Sequence, residues 1–138
     1  MTKEISVVGE TNLSRLLASM APRLLPDEYV FCTVRDGKYG DYAEASPLAS
    51  FLETEGLTLL VTKKNADKTK LKYESIFKGI TLTVHSSLEA VGLTAAVSSK
   101  LAEKDISANV IAAYYHDHVF VQLEKANLAI EALNEFSC

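Results

Sequence analysis

Between Ile80 and Phe136 the hydrophobic residues change their spacing in an ordered way, and this change constrains the fold more than any other feature of the chain. Ile80, Leu82 and Val84 alternate with Thr81, Thr83 and His85, the period of two that marks a strand with one buried face. From Gly92 the period lengthens. Leu93, Ala96, Val97 and Leu101 line one side of a helix, while Lys100, Glu103 and Lys104 face water. Ile106–Tyr115 and His118–Leu123 read as two strands around a tight His116-Asp117 turn. Lys125–Phe136 reads as a second helix that offers Leu128, Ile130, Ala132 and Leu133 for packing. Two helical crossings with a hairpin between them place the first and third strands side by side and antiparallel, with both helices on one face. Ile80, Leu82, Val84, Val119, Val121 and Leu123 then point under the helices. Thr81, Thr83, His85, His118, Phe120 and Gln122 form the other face, which is too apolar to stay bare and is expected to be covered by the first half or by a second subunit.

The first half carries weaker signals. Ile5, Val7 and Val8 suggest a short strand, and Thr11-Asn12 can cap a helix whose stripe is Leu13, Leu16, Leu17 and Met20. Pro22 and Pro26 are expected to close that element, and Tyr29–Val34 reads as a strand. Arg35–Ser46 reads as a loop, Pro47–Glu53 as a short apolar turn or helix, Leu57–Thr62 as a strand and Lys63–Lys70 as a helix. Leu57–Asp67 aligns without gaps on Asp117–Asn127, and Thr11-Asn12-Leu13 mirrors Val91-Gly92-Leu93. A degenerate tandem repeat is the expectation, with halves at 1–74 and 75–138.

Composition removes several function classes. A chain of 138 residues buries roughly two-thirds of its unfolded surface, enough for a real core. A net charge of −4 and the lack of a dense Lys/Arg cluster argue against nucleic acid or an anionic membrane as partner. The two cysteines, Cys32 and Cys138, stand in unlike contexts and read as thiols of a reducing cytoplasm. The polar start lacks a signal-peptide core, and no apolar run approaches a membrane span, so a cytoplasmic protein is expected.

The chemistry-bearing stretch is His85-Ser86-Ser87-Leu88-Glu89-Ala90-Val91-Gly92-Leu93, where a strand ends and a glycine leads into a helix. Backbone N–H groups at a helix start lack intrahelical partners and sit at the positive end of the dipole, so a carboxylate or phosphate is a natural guest. Two readings stay open on these residues alone: an anion site, or a helix start that Ser87 caps and Gly92 lets pack closely.

Gly92-Leu93-Thr94-Ala95-Ala96-Val97, followed by Leu101-Ala102-Glu103-Lys104-Asp105-Ile106 and Ser107-Ala108-Asn109-Val110-Ile111, resembles the signature of ACT domains. Together with the Tyr-Val-Phe strand and the Gly-Leu-Thr-Leu strand of the first half, the whole chain resembles free-standing bacterial ACT proteins with two ACT-like halves. The resemblance implies an α+β, ferredoxin-like βαββα(β) sandwich with an antiparallel sheet and helices on one face. It also implies a regulatory module that binds a small molecule, an amino acid above all, and that pairs as a homodimer without a cofactor or catalytic residues of its own. Carried across by position, the ligand-facing residues are Ser86, Ser87, Leu88, Glu89, Ala90, Val91, Gly92 and Leu93, with the side chain of Asn109. His85-Ser86-Ser87 and a longer loop stand where many members carry an Asp or Asn, which leaves the ligand's identity open.

Two further readings compete. A homo-oligomeric assembly module without ligand would use the face of Thr81, Thr83 and Phe120. His85, His116 and His118, with Asp117, could gather as a metal or acid–base cluster, although the sequence pattern positions no further ligand. No Ser–His–Asp or Cys–His arrangement can be placed, and Cys32 reads as buried.

Overall fold

The computed structural model describes residues 12–84 and 91–137. The expected strand at Ile5–Val8, and His85 through Ala90, lie outside the described residues. The chain divides into two compact units: residues 1–25 with 79–138, and residues 26–78.

In the first unit, α1 (Leu13–Ser19) starts at Asn12, whose side chain accepts a hydrogen bond from the Arg15 N–H and so satisfies one of the orphan donors of the first turn. The chain then enters β1 (Pro22–Val34), a strand that begins well before the expected Tyr29. α1 ends at Ser19, ahead of Pro22, but Pro22 and Pro26 both lie within the strand that follows. The fixed φ of proline fits extended backbone, and a missing donor is tolerated at a strand's first residue and where its pairing changes. The unit boundary falls between Leu25 and Pro26.

Next in this unit come β4 (Phe77–Leu82), α3 (Leu93–Glu103), β5 (Asn109–Ala112), β6 (Asp117–Gln122) and α4 (Ala126–Asn134). Only Gly79–Leu82 of β4 belongs to it. Strand order is β4-β6-β5, the split arrangement expected from the sequence. The hairpin turn lies two residues earlier than expected. Asp117 pairs with Ala112, and the Ala113 N–H donates to the His116 carbonyl, so Tyr114-Tyr115 form the turn and Asp117 opens β6. Ile80, Leu82, Val84, Val119 and Val121 join Leu93, Val97 and Leu101 of α3 in one core, with Leu16 and Met20 of α1. From α4 the core takes Ala126, Ala129, Ala132 and Leu133. Leu128, expected to pack, is 39% exposed; three alanines let α4 lie close to the sheet and turn Leu128 outward.

The second unit is a three-stranded antiparallel sheet, β2-β3-β1, built from β2 (Ala49–Glu53), β3 (Gly56–Thr62) and the latter part of β1. Pro47–Glu53, expected as a turn or helix, supplies β2: Ala49 pairs with Leu60 and Glu53 with Gly56 across a two-residue Thr54-Glu55 turn. Partner-strand hydrogen bonds outweigh the ambiguous local pattern here. Gly56 is required by close approach, since a Cβ there would stand 2.9 Å from the Val34 carbonyl oxygen. β3 runs straight into α2 (Lys63–Thr69), whose cap Thr62 accepts from the Asn65 N–H. Val30, Cys32, Leu57, Leu59, Val61, Ala66 and Leu71 make its core.

Leu57–Asp67 and Asp117–Asn127 repeat the same burial, position by position, over all eleven residues. Leu60 and Phe120 match as buried residues of one face, and Val61 and Val121 as buried residues of the other. The repeat is therefore structural, although few residues are identical.

Candidate functional site

The helix start after β4 is the candidate site. Gly92 is the N-cap of α3 at φ +98°, a left-handed conformation that glycine adopts without a Cβ penalty. A Cβ at Gly92 would also stand 3.0 Å from the Leu13 side chain of α1, so two requirements converge on glycine. Among the described residues no side chain caps α3, in contrast to α1, whose Asn12 accepts from the Arg15 N–H of its own first turn. Val91, immediately before Gly92, is 84% exposed.

Val91, Gly92 and Leu93 are brought together at this corner, with Leu93 buried beneath α3 and Val91 in solvent. Ser86, Ser87, Leu88, Glu89 and Ala90 lie outside the described residues. Asn109 stands elsewhere. It pairs with Phe120, and its Nδ2 donates to the Phe120 carbonyl at 3.1 Å. The other end of this strand pair is at Asp117, beside which the His116 ring reaches the Val84 carbonyl at 3.1 Å. Three residues of strand, about 10 Å, separate the two ends.

The two described histidines hold separate partners. His118 Nδ1 lies 3.0 Å from Thr81 Oγ1, and His116 Nδ1 lies against the Val84 carbonyl. Burial holds the His118 ring below its ordinary pKa; His116 pushes the same way and Asp117 opposes. Among the described residues no group of three His, Cys, Asp or Glu side chains is arranged to hold a metal ion. Cys32 is buried, and burial pushes its thiol up.

Asp117, expected in a turn beside the histidines, is instead the first residue of β6 and only 7% exposed. The signal was present: Asp117 shares parity with Val119 and Val121, so alternation aims it at the helix layer. Burial pushes its carboxyl above the ordinary range, while His118 and His116 pull it down.

A separate open groove of about 900 Å³ lies in the second unit, lined by Phe31, Thr58, Lys72, Tyr73, Glu74 and Phe77 among others, with the Phe31 and Phe77 rings edge to face.

An ACT-domain profile matches residues 8–78, and a second ACT-domain profile matches residues 75–135. The chain belongs to the ACT-domain family. A Vibrio cholerae protein of unknown function, described as a possible transport protein, is 56% identical to it at a TM-score of 0.83, covering 91% of this chain and 96% of that one. An Agrobacterium tumefaciens protein shares the fold at 12% identity and a TM-score of 0.71, covering 86% of this chain and 89% of its own. The ligand-free regulatory subunit of aspartate kinase from Thermus thermophilus matches at 10% identity and a TM-score of 0.59, over 86% of this chain and 97% of that subunit. No match was found among curated proteins. The fold is the ferredoxin-like ACT fold, and two ACT domains account for both halves of the repeat. No helix among the described residues is long and apolar enough to cross a membrane.

Proposed function

We propose that this ACT protein is a regulatory binder of a small molecule, an amino acid, without catalytic activity of its own, working in the cytoplasm. The observation that carries the reading is the α3 start at Gly92: left-handed, without a capping side chain among the described residues, and flanked by an exposed Val91. Its dipole and orphan N–H groups suit the carboxylate of an amino acid. The residues assigned to the ligand remain Ser86 through Leu93, with Asn109. Because Asn109 lies at the far end of β5, a ligand touching both Gly92 and Asn109 calls for Asn109 from a second ACT domain, as a homodimer would supply. Aspartate kinase regulatory subunits among the structural neighbours fit a regulatory role of this kind.

The test is a thermal-shift panel of the twenty amino acids at millimolar concentration. At one hundred times its dissociation constant a ligand adds about 2.7 kcal/mol, so a true ligand raises Tm by several degrees. A flat response across the panel contradicts the reading.

The alternative, a homo-oligomeric assembly module without ligand, requires a different surface from the one the sequence pointed to. Of the face of Thr81, Thr83 and Phe120, Thr83 is exposed but Thr81 and Phe120 are 6% and 0% exposed in a single chain, which leaves little of it open to a partner. β2 does present such a surface: it pairs only with β3, and Phe51 and Leu52 are 70% and 63% exposed along it. An oligomer that Phe51→Lys dissociates, in protein that answers no amino acid, favours that alternative.

A further inference from the structure

β2 is an edge strand without the usual guards. Among the described residues it pairs only with β3, so its other side presents backbone N–H and C=O groups to water. Edge strands are ordinarily protected by lysine, by proline or by a covering element. Ala49-Ser50-Phe51-Leu52-Glu53 contains neither lysine nor proline. Its single charge, Glu53, turns back onto its own sheet and accepts a hydrogen bond from Thr58 Oγ1 at 2.6 Å. The large apolar side chains left exposed in the second unit all gather here: Tyr39, Leu48, Phe51 and Leu52, each more than half exposed. At about 200 Å² per aromatic side chain, Tyr39 and Phe51 alone keep roughly 300 Å² in water, the size at which an apolar patch marks a partner site. The β5 edge differs, since Asn109, Val110 and Ile111 are half-buried and the Asn109 side chain is tied to the Phe120 carbonyl.

The register of β2 shows which partner fits. Ser50 and Leu52 lie opposite Leu59 and Leu57, both core residues, and so share the α2 side of the sheet. Ala49 and Phe51 share the other side. Leu48 stands with Ser50 and Leu59 around a hollow of about 360 Å³, with Tyr39 and Pro47 also lining it. Two copies paired antiparallel about a two-fold axis keep every side chain on its own face, so the axis passes through a residue of β2. An axis at Ser50 sets Ser50 against itself, Phe51 against the small Ala49, and Leu48 against Leu52, and leaves Glu53 at the ends. The partner's Leu52 then faces the hollow beside Leu48. Cross-strand pairs of this kind, large on small and apolar on apolar, are what stabilises a sheet. An axis at Phe51 or at Ala49 instead sets Ser50 against Leu52 or against Leu48, and the first of these brings Glu53 onto Ala49.

We propose that β2 pairs with β2 of a second copy of this chain about an axis at Ser50, closing both open edges and both apolar patches in one two-fold interface. A second copy fits better than an unrelated peptide because the strand is complementary to itself in size and polarity, with no charge left to match. The pairing holds with or without a bound amino acid and does not rest on the ligand reading.

The test uses the full chain without ligand. Sedimentation equilibrium at micromolar concentration is expected to show a dimer in wild type. Phe51→Lys is expected to weaken the dimer at least about tenfold. Its circular dichroism should stay as in wild type, because Phe51 lies in solvent in a single chain. The register is read by single cysteines in a Cys138→Ser background, Cys32 being buried. Directly opposed residues of an antiparallel pair stand about 5 Å apart at Cα, within disulfide reach, whereas residues two places off stand roughly 7–8 Å apart. Ser50→Cys is therefore expected to form an intermolecular disulfide on mild oxidation, while Phe51→Cys and Leu52→Cys do not. A monomeric wild type, a dimer that Phe51→Lys leaves intact, or linkage by Phe51→Cys or Leu52→Cys in place of Ser50→Cys overturns the proposal.

Discussion

Leu57–Asp67 and Asp117–Asn127 show the same degree of burial at each of eleven matched positions, each a strand running into a helix, yet they differ in what they leave open. The stretch at Leu57 sits in a unit whose core is closed by aliphatic side chains and one short helix, α2. The stretch at Asp117 sits under α1, α3 and α4 and admits an acid into the same place. Two helix starts within that first unit differ as well: Asn12 caps α1 with its own side chain, while no side chain among the described residues caps α3 at Gly92. The lesson is that a repeat can preserve burial while one copy gives up local satisfaction. The copy that gives it up is the better candidate for binding.

Exchanging the matched residues should produce the largest effect. Leu57→Asp places an unpaired acid in the closed core and is expected to cost about 3–5 kcal/mol in urea unfolding, while Asp117→Leu leaves stability equal or higher. Equal destabilisation by both changes would break the comparison.

A smaller effect separates strain from packing. Gly92→Ala and Gly40→Ala both force alanine into left-handed backbone, at φ +98° and +99°, but only Gly92 has a neighbour, the Leu13 side chain at 3.0 Å. Both variants are expected to lose stability within about 1–3 kcal/mol, with Gly92→Ala the costlier. Equal losses would show that Leu13 moves aside freely.

How much of this was legible follows from the kind of signal each residue carries. The order strand, helix, strand, strand, helix was readable because Ile80–Val84 and Leu93–Leu101 keep clean periods of two and of about three and a half. The β2 strand was not, because Ala49-Ser50-Phe51-Leu52-Glu53 has no alternation of its own and becomes a strand through pairing with β3. β1 exceeds the expected Tyr29–Val34 because proline, an ordinary stop signal, fits extended backbone: Pro22 opens the strand and Pro26 stands at the unit boundary. Gly92 was legible as a helix start; Asp117 was hidden by its position next to a turn, where Asp is ordinarily a solvent-facing residue. Asn109 was named by resemblance, and its place at the far end of β5 follows from strand pairing that a local motif does not encode.

The smallest effect is a pH dependence confined to the first unit. Burial holds His118 neutral in the fold, so as pH falls through about 6.5 the unfolded chain takes up a proton first and stability declines. His118→Gln should flatten the fall in Tm between about pH 7 and pH 5.5. Asp117 works with the opposite sign: its raised carboxyl makes the fold lose stability as pH rises from the ordinary carboxylate value toward the raised one, and Asp117→Asn should remove that slope. Slopes unchanged in both variants would place the titrating groups elsewhere.

The central claim, that the α3 corner is the working site of this ACT protein, is tested most directly by amide NMR of the labelled full chain titrated with an equimolar mixture of the twenty amino acids. The account predicts saturable shifts at Gly92, Leu93 and Asp117 while Gly40 and Leu57 stay in place. Shifts confined to residues 26–78, or none at all at millimolar concentration, would contradict it.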